Sequence, residues 1–475
     1  MRELPLSKTH LLTLIVFHLA LYLPMIGRGL VFDDFRHVYS AAYQPLQYGL
    51  TRVQGGPFFD PLVWLAFKAD WMFWGGRSFP MAAENLLVHV ANILMLYFLT
   101  LRLWQSEVAA WWTALGFALL FPANTWAVMY IATRAHVIAT FFYLGALIAA
   151  WWYVHGALRH QVMAGIIVVA CAGLSVFAKE SGITVVAAVF IMLAHERQSL
   201  KRKVFSRGDI LLFIGLVGLL AVYLGLRSQS GAISPSAPDD TYNYALSLRR
   251  LANNLLRYAW RTYGLLAIVA FAITVSQYLR GVRPHLKLLT TRDVFLSMML
   301  FAVTSGPFLL LSVRSATYSY LPGIGAALLL GAVARSLYAA PTIPRSFPTV
   351  LASFPIILVV ASLIGFTIGQ SLKWVRMGDV SRAVLDQIAA QQPQVKPNTS
   401  VVLKYSEVDR EHMFPDAFPG GVFTYAVRLL YRDPSLDGKI IRHGEPYSIV
   451  ETSSEVQLEY IVINQKPTIR MVGAR

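Results

Sequence analysis

Long runs without an ionised side chain constrain this chain more than any other feature. Residues 10–27, "HLLTLIVFHLALYLPMIG", contain no Lys, Arg, Asp or Glu. A hydrocarbon core needs roughly 20 such residues to be crossed as a helix. Comparable runs recur near 85–101, 108–133, 135–158, 160–178, 181–195, 210–226, 262–279, 294–313, 315–334 and 346–372. They predict about eleven crossings and a polytopic α-helical membrane protein. The composition agrees, with 56% of residues hydrophobic and 14% charged, outside the balance of a soluble domain. The first run follows "MRELPLSKT" and lacks a small-residue cleavage site, so it reads as a retained helix. The single cysteine, Cys171, lies inside a run, which excludes a disulfide within the chain.

Lys and Arg set the expected orientation. The densest basic connections, "ERQSLKRKVFSRGD" and "RGVRPHLKLLTTRD", are separated by two crossings and therefore face one side, expected to be cytoplasmic. The N-terminus then also lies inside. Segments 28–80, 122–135, 178–182, 228–258, 313–320 and everything after 372 fall outside. A net charge of +16 bordering crossings points to anionic headgroups rather than to nucleic acid. Beyond the last run the pattern changes. A polar helix from about 376 ends at Gln392-Pro393, "SVVLKY" alternates as a strand, Phe423, Val427 and Leu430 share a helix face, and "EVQLEYIVI" alternates again. The expected organisation is a membrane catalytic domain, 1–372, and a small extracytoplasmic α/β domain, 373–475.

The first outer segment, "GLVFDDFRHVY", holds Asp33, Asp34, Arg36 and His37, followed by "PFFDPLVWLAFKADWMFWGG", which reads as an amphipathic helix in the headgroup layer. In isolation the acidic pair reads as a solvated loop edge. Other outer positions carry Arg134 and His136, Lys179 and Glu180, and Arg314, Tyr318 and Tyr320. Singly, these read as snorkelling arginines or a turn-closing ion pair. Together they describe a cationic rim facing two carboxylates, as suits a phosphate-bearing lipid beside a general base. His89 and Asn92, one turn apart in a run, read as glue between helices rather than as ligands. The charge-free interiors disfavour a coupled transporter; a lipid flippase for a lipid-linked glycan and a non-catalytic lipid-binding assembly component are the other classes left standing.

These ordered segments resemble the multi-span GT-C glycosyltransferases. "ATRAHVIATFFYL", "FAKESGITV" and "YSYLPGIGAALLL" look like the corresponding segments of the O-mannosyltransferases that carry tetratricopeptide repeats, and of their bacterial relatives, over residues 10–335. The repeats themselves are missing. The resemblance implies transfer of a sugar from a polyprenyl-phosphate donor to the hydroxyl of a glycolipid, polysaccharide or protein acceptor, with inversion. Asp33 matches the general base, with Asp34 beside it. Arg134, Lys179 and Arg314 match cations for the donor phosphate, and Arg36, His136, Glu180, Tyr318 and Tyr320 would orient the substrates. No cofactor is expected, with Mg²⁺ or Mn²⁺ on the aspartates and His37 as the alternative. The expected setting is a bacterial inner membrane with the site facing the periplasm or exterior.

Overall fold

The computed structural model of the protein describes residues 7–51, 58–201, 203, 206–232, 246–281, 289–338, 349–406, 417–442, 454–463 and 466–474. The first run becomes α1 (Lys8–Tyr22), followed by α2 (Asp34–Tyr43), α3 (Tyr48–Thr51) and α4 (Pro61–Trp74). The bundle continues as α5 (Ser78–Trp104), α6 (Glu107–Ala118), α7 (Phe121–Met129), α8 (Arg134–His155), α9 (Leu158–Ala178), α10 (Val185–Ser199) and α11 (Arg207–Gln229). It closes with α12 (Leu248–Ala259), α13 (Leu265–Leu279), α14 (Thr291–Leu309), α15 (Gly323–Tyr338) and α16 (Thr349–Gln391). Several helices begin where a hydroxyl accepts an otherwise unpaired N–H: Ser7, Ser106, Ser206 and Thr290.

Among the described residues, seven helices are long and apolar enough to cross a membrane, so the chain is a multi-pass membrane protein. Lipid-facing side chains stay apolar, as on α11, where Leu211 and Ile214 are exposed. The expected crossing at 108–133 is broken: α6 and α7 meet at 67°, an eighth span if taken together. Pro122, at the start of α7, lacks the N–H that would continue the α6 ladder. The remaining expected crossings are α10, α14 and α15, helices of 15, 19 and 16 residues packed into the bundle. They are too short or too polar to qualify on length and composition alone. Residues 248–259, expected in an outer loop, instead form α12, which runs through the π-helical turn Trp260–Gly264 into α13. Part of each dense basic connection, including 282–288, lies outside the described residues, as does 233–245 of the outer loop.

The C-terminal unit contains β1 (Thr399–Tyr405), α17 (Val422–Tyr431), β2 (Asp437–Arg442), β3 (Ser454–Ile463) and β4 (Lys466–Ala474). Its sheet order is β2-β1-β3-β4, parallel across β2, β1 and β3 and antiparallel between β3 and β4. The expected strands are β1 and β3, and the expected helix is α17. β2 and β4 escaped sequence reading because their short, charged stretches, "DGKIIR" and "KPTIRMVGA", do not alternate cleanly. The expected last crossing and polar helix are one 43-residue helix, α16, which passes residue 372 unbroken. Val401, Leu403, Phe423 and Val427 form this unit's core with Val384 and Ile388 of α16.

At the far ends of α5, α8, α10, α14 and α15, buried charges tie the bundle together. Glu196 bonds His155 at 2.7 Å and His195 at 2.9 Å, and Asp293 accepts from Arg335 at 2.8 Å and from the Trp104 indole at 3.1 Å. Removing one partner of a buried pair leaves the other charge uncompensated and costs about 3–5 kcal/mol. Asp293→Ala should therefore lower the thermal unfolding midpoint in detergent clearly, whereas substitution of lipid-facing Leu211 by Ala should change it little.

Candidate functional site

The site is built on α2, the ten-residue helix that begins at the acidic pair. Phe32, just before it, has a left-handed φ of 50°, a conformation costing a non-glycine residue about 1–3 kcal/mol. That turn sends the two adjacent carboxylates into different surroundings. Asp34 is fully buried: its Oδ2 meets Arg28 at 3.1 Å and the Val31 N–H at 3.2 Å, and its Oδ1 accepts the Ala132 N–H at 2.8 Å. Arg28 is itself buried and also donates through Nε to the Met129 carbonyl at 2.8 Å. Asp33 is half-buried at the N-cap of α2. The Tyr130 hydroxyl donates to its Oδ2 at 3.0 Å and accepts its N–H at 3.3 Å. Its Oδ1 accepts no hydrogen bond from the described residues.

The aromatic segment after α2 is helical, as expected, but its charges point inward. α4 exposes Met72 and Phe73, while Asp70 is buried and Lys68 donates to the Ala41 and Gln44 carbonyls at 2.7 and 2.8 Å, capping the end of α2. Arg134 is buried against Asp70, donates to the Met81 carbonyl at 3.1 Å and lies 4.4 Å from the Phe67 ring centre. Its Nε finds no partner among the described residues. His37 stacks on the same Phe67 ring, 4.7 Å between ring centres. Burial pushes the His37 imidazole down to about 4; Asp33 opposes this, while the charges of Arg36, Arg134 and Lys179 add to it. His37 is therefore neutral near pH 7, and those four charged groups surround one ring.

Lys179 and Glu180 form the expected ion pair, at 3.2 Å, with a wider role. Glu180 also meets Arg227 at 3.4 Å and accepts the Phe59 N–H at 3.1 Å, joining the α9–α10 connection to the start of α4 and the end of α11. Lys179 lies 3.8 Å from the Phe58 ring centre. Burial alone would raise the Glu180 carboxyl, but Lys179 and Arg227 outweigh it and hold it below the usual range. Asp60 beside them goes the other way. Burial and the nearby Glu180 charge lift it to about 6, against Lys179 and Arg227, and its Oδ1 has no partner among the described residues.

The remaining expected residues belong to a second grouping. Arg314 is exposed and donates through Nε to Asn254 at 2.9 Å. Its charge reaches the Tyr258 hydroxyl together with those of Arg257 and Arg261, and Arg261 donates to the Ser315 carbonyl at 3.0 Å. None of these three arginines pairs with a carboxylate among the described residues. His136 and Tyr318 are buried ring neighbours, 5.8 Å between centres, and Tyr318 stacks on Phe308 at 4.5 Å. Tyr320 lies apart from both groups, inside the bundle. Its hydroxyl takes up His89 Nδ1 at 2.7 Å and the Asn92 amide at 3.1 Å, and Asn92 also donates to the Val137 carbonyl. His89 and Asn92 are thus interhelical glue, and Tyr320 is their partner. Among the described residues no three His, Cys, Asp or Glu side chains are grouped as a metal ion would need.

No family model matches the chain, and no curated protein matches it either. Solved structures do. ArnT from Cupriavidus metallidurans in the apo state aligns over 95% of this chain and 93% of its own, with a TM-score of 0.54 and 13% identity. The same protein bound to undecaprenyl phosphate aligns over 96% and 94%, at 0.51 and 14%. The chain has the GT-C fold. The archaeal oligosaccharyltransferase AglB from Archaeoglobus fulgidus is a more distant likeness, at a TM-score of 0.49 and 13% identity, over 91% of this chain and 64% of that one. Both ArnT alignments run nearly end to end, so the C-terminal unit falls within the likeness.

Within this GT-C frame the sequence missed Arg28, Tyr130, Asp60, Asp70, Arg227, Arg257 and Arg261. Arg28 and Arg227 border crossings and read as headgroup anchors; only the tertiary fold turns them inward. Asp60 and Asp70 were legible as charges on an aromatic helix, with the wrong face assigned to water. Asp60 also gives the cluster a testable pH signature. The folded carboxyl holds its proton more tightly than an unfolded one, so stability falls as pH rises from about 4 to about 6. A rise of that size corresponds to about 3 kcal/mol. Asp60→Asn should raise the unfolding midpoint at pH 7–8, with the gain shrinking as pH falls from about 6 and gone below about pH 4; a gain independent of pH would reject a shifted Asp60. Arg134→Lys should lower the midpoint at every pH, since one ammonium cannot span a carboxylate, a carbonyl and a ring face.

Proposed function

We propose that this protein is a membrane glycosyltransferase that moves a sugar from a polyprenyl-phosphate carrier to an acceptor hydroxyl outside the cytoplasm. The observation that supports it most is the unequal state of the acidic pair. Asp34 has both oxygens committed to Arg28 and backbone N–H groups, whereas Asp33 keeps Oδ1 open and has Oδ2 oriented by Tyr130. A positioned carboxylate with one open oxygen suits a general base; a saturated one suits a strut.

In this reading Asp33 takes the proton as the acceptor oxygen attacks the anomeric carbon. The bond from that carbon to the phosphate oxygen breaks on the opposite face, so the configuration inverts, and polyprenyl phosphate leaves with an added negative charge. Fixed cations that need no reorganisation stabilise that charge. Arg314, with Arg257 and Arg261, is the best supplied of the expected cations, because Arg134 and Lys179 already face Asp70 and Glu180. Lys179 and Arg134 set the field around His37 and the base, and Arg36, His136 and Tyr318 would orient the substrates. That ArnT has been captured with undecaprenyl phosphate supports a carrier of this class. A bacterial inner membrane with a periplasmic site, and a catalytic unit ending near residue 372, complete the reading.

The test is release of free polyprenyl phosphate from radiolabelled polyprenyl-phosphate sugars by purified protein, with and without a chelator. A flippase or a lipid-binding scaffold releases none. Asp33→Asn should keep expression and lipid binding but reduce turnover by about 10² to 10⁴. Arg314→Met and Arg261→Met should each weaken polyprenyl phosphate binding by about 10-fold or more, the loss of one charge-assisted contact. Near-normal turnover in the Asp33 variant at normal abundance would reject it as the base, and a chelator-sensitive rate would favour a divalent ion over the arginines.

A further inference from the structure

The helix that carries Asp33 is shared between two bodies. Its acidic end belongs to the membrane bundle through Arg28, Ala132 and Tyr130. Its other face belongs to the C-terminal unit. Phe35, 3% exposed, is part of that unit's core and stacks on Phe418 with 5.4 Å between ring centres. Tyr39, one turn on, meets Tyr425 at 5.2 Å and has the Arg428 guanidinium 5.5 Å from its ring centre. Residues four apart share one helix face, so the Phe35–Tyr39 face of α2 is covered by α17 and the turn before it.

The strained residue before the base is held by the same unit. The Phe32 N–H donates to the Ala417 carbonyl at 3.1 Å, a bond made from its left-handed conformation, φ 50°. Held conformations of this kind persist only where their surroundings over-determine them. The surroundings here include α16, which runs from the membrane into the C-terminal core and meets the chain just ahead of α2 backbone to backbone. A Cβ at Gly29 would collide with the Gly378 carbonyl, and Arg382 donates to the Gly27 carbonyl at 2.7 Å.

We propose that the C-terminal unit positions the base: Phe418 and the Ala417 carbonyl hold the start of α2 so that the Asp33 carboxylate stays on Tyr130 and aimed at the acceptor. The inference rests on the glycosyltransferase reading and adds a role for a part of the chain to which the reaction itself assigns none. Phe418 is a positioning residue, because it acts through Phe35 and touches no reacting atom. Misplacing a reacting group by about 1 Å costs on the order of 10²-fold in rate, so a loosened α2 should lower turnover without changing donor affinity.

The test uses full-length protein in lipid nanodiscs, with Phe418→Ala, the conservative Phe418→Tyr, and the more peripheral Tyr425→Ala. Hydrogen exchange is read at three places: α2, the β1 strand as a check that the unit remains folded, and α8 as a bundle control. Turnover and affinity for polyprenyl phosphate are read on the same samples. Phe418→Ala is expected to speed exchange in α2 but not in α8, and to lower kcat by about 10- to 100-fold with donor KM and polyprenyl phosphate affinity within about twofold. Phe418→Tyr should restore both, and Tyr425→Ala should give a milder version with β1 protected. Unchanged exchange in α2, or faster exchange with full turnover, would overturn the proposal. So would a loss of lipid affinity in step with kcat, which marks general damage. A wild-type protein that releases no polyprenyl phosphate overturns the function above instead, and the exchange comparison then still decides whether the C-terminal unit holds α2.

Discussion

The buried Asp34–Arg28 pair is the interaction on which the candidate site depends. Taking two ions out of water is offset only when their remaining hydrogen-bonding capacity is met. Here it is met by the backbone of two distant segments, Val31 and Ala132 on the acid and Met129 on the base. That saturation pins the chain leaving α1 onto the corner between α7 and α8. It also fixes the direction of α2, and with it the carboxylate of the preceding residue, which is left with an open oxygen beside Tyr130. In the proposed function Asp34 is the strut and Asp33 the base.

The same rule governs charge across the molecule. Arg134 is set against Asp70, Lys179 and Arg227 against Glu180, and Arg335 against Asp293. All but the adjacent Lys179–Glu180 pair join segments far apart in sequence, and the pairing is expected where an unpaired charge is costly. Arg257, Arg261 and Arg314, whose charges all reach Tyr258, make no ion pair with a carboxylate among the described residues. In the proposed function an anionic lipid phosphate is what they would pair with. Asp60 is the converse case, a buried carboxyl with an open oxygen in a balanced cluster.

How far the site was legible depends on what each residue's role requires. The membrane class, and the acidic pair and cations at the ends of crossings, are legible from local composition. The partners are not. Nothing in "FDDF" distinguishes a saturated carboxylate from an open one, because the difference is made by Arg28, Tyr130 and Ala132. Tyr320 is a second case: the resemblance implied a substrate-orienting role, while the fold turns its hydroxyl inward to His89 and Asn92.

By itself the sequence determined that this chain lives in a membrane, since runs without charge cannot be exposed to water at acceptable free-energy cost and polar backbone in lipid must be helical. It also determined the alternating strands and the amphipathic helix of the C-terminal unit, because periodicity is a local property. Only the tertiary structure decided where crossings break or shorten, as at the 67° corner of α6 and α7 and in the buried α10 and α15. Burial by neighbouring helices relaxes the length that lipid alone would demand. It likewise decided that α2 answers to both bundle and C-terminal unit, for hydrogen bonds and ring contacts between residues hundreds of positions apart leave no periodic trace in the sequence that makes them.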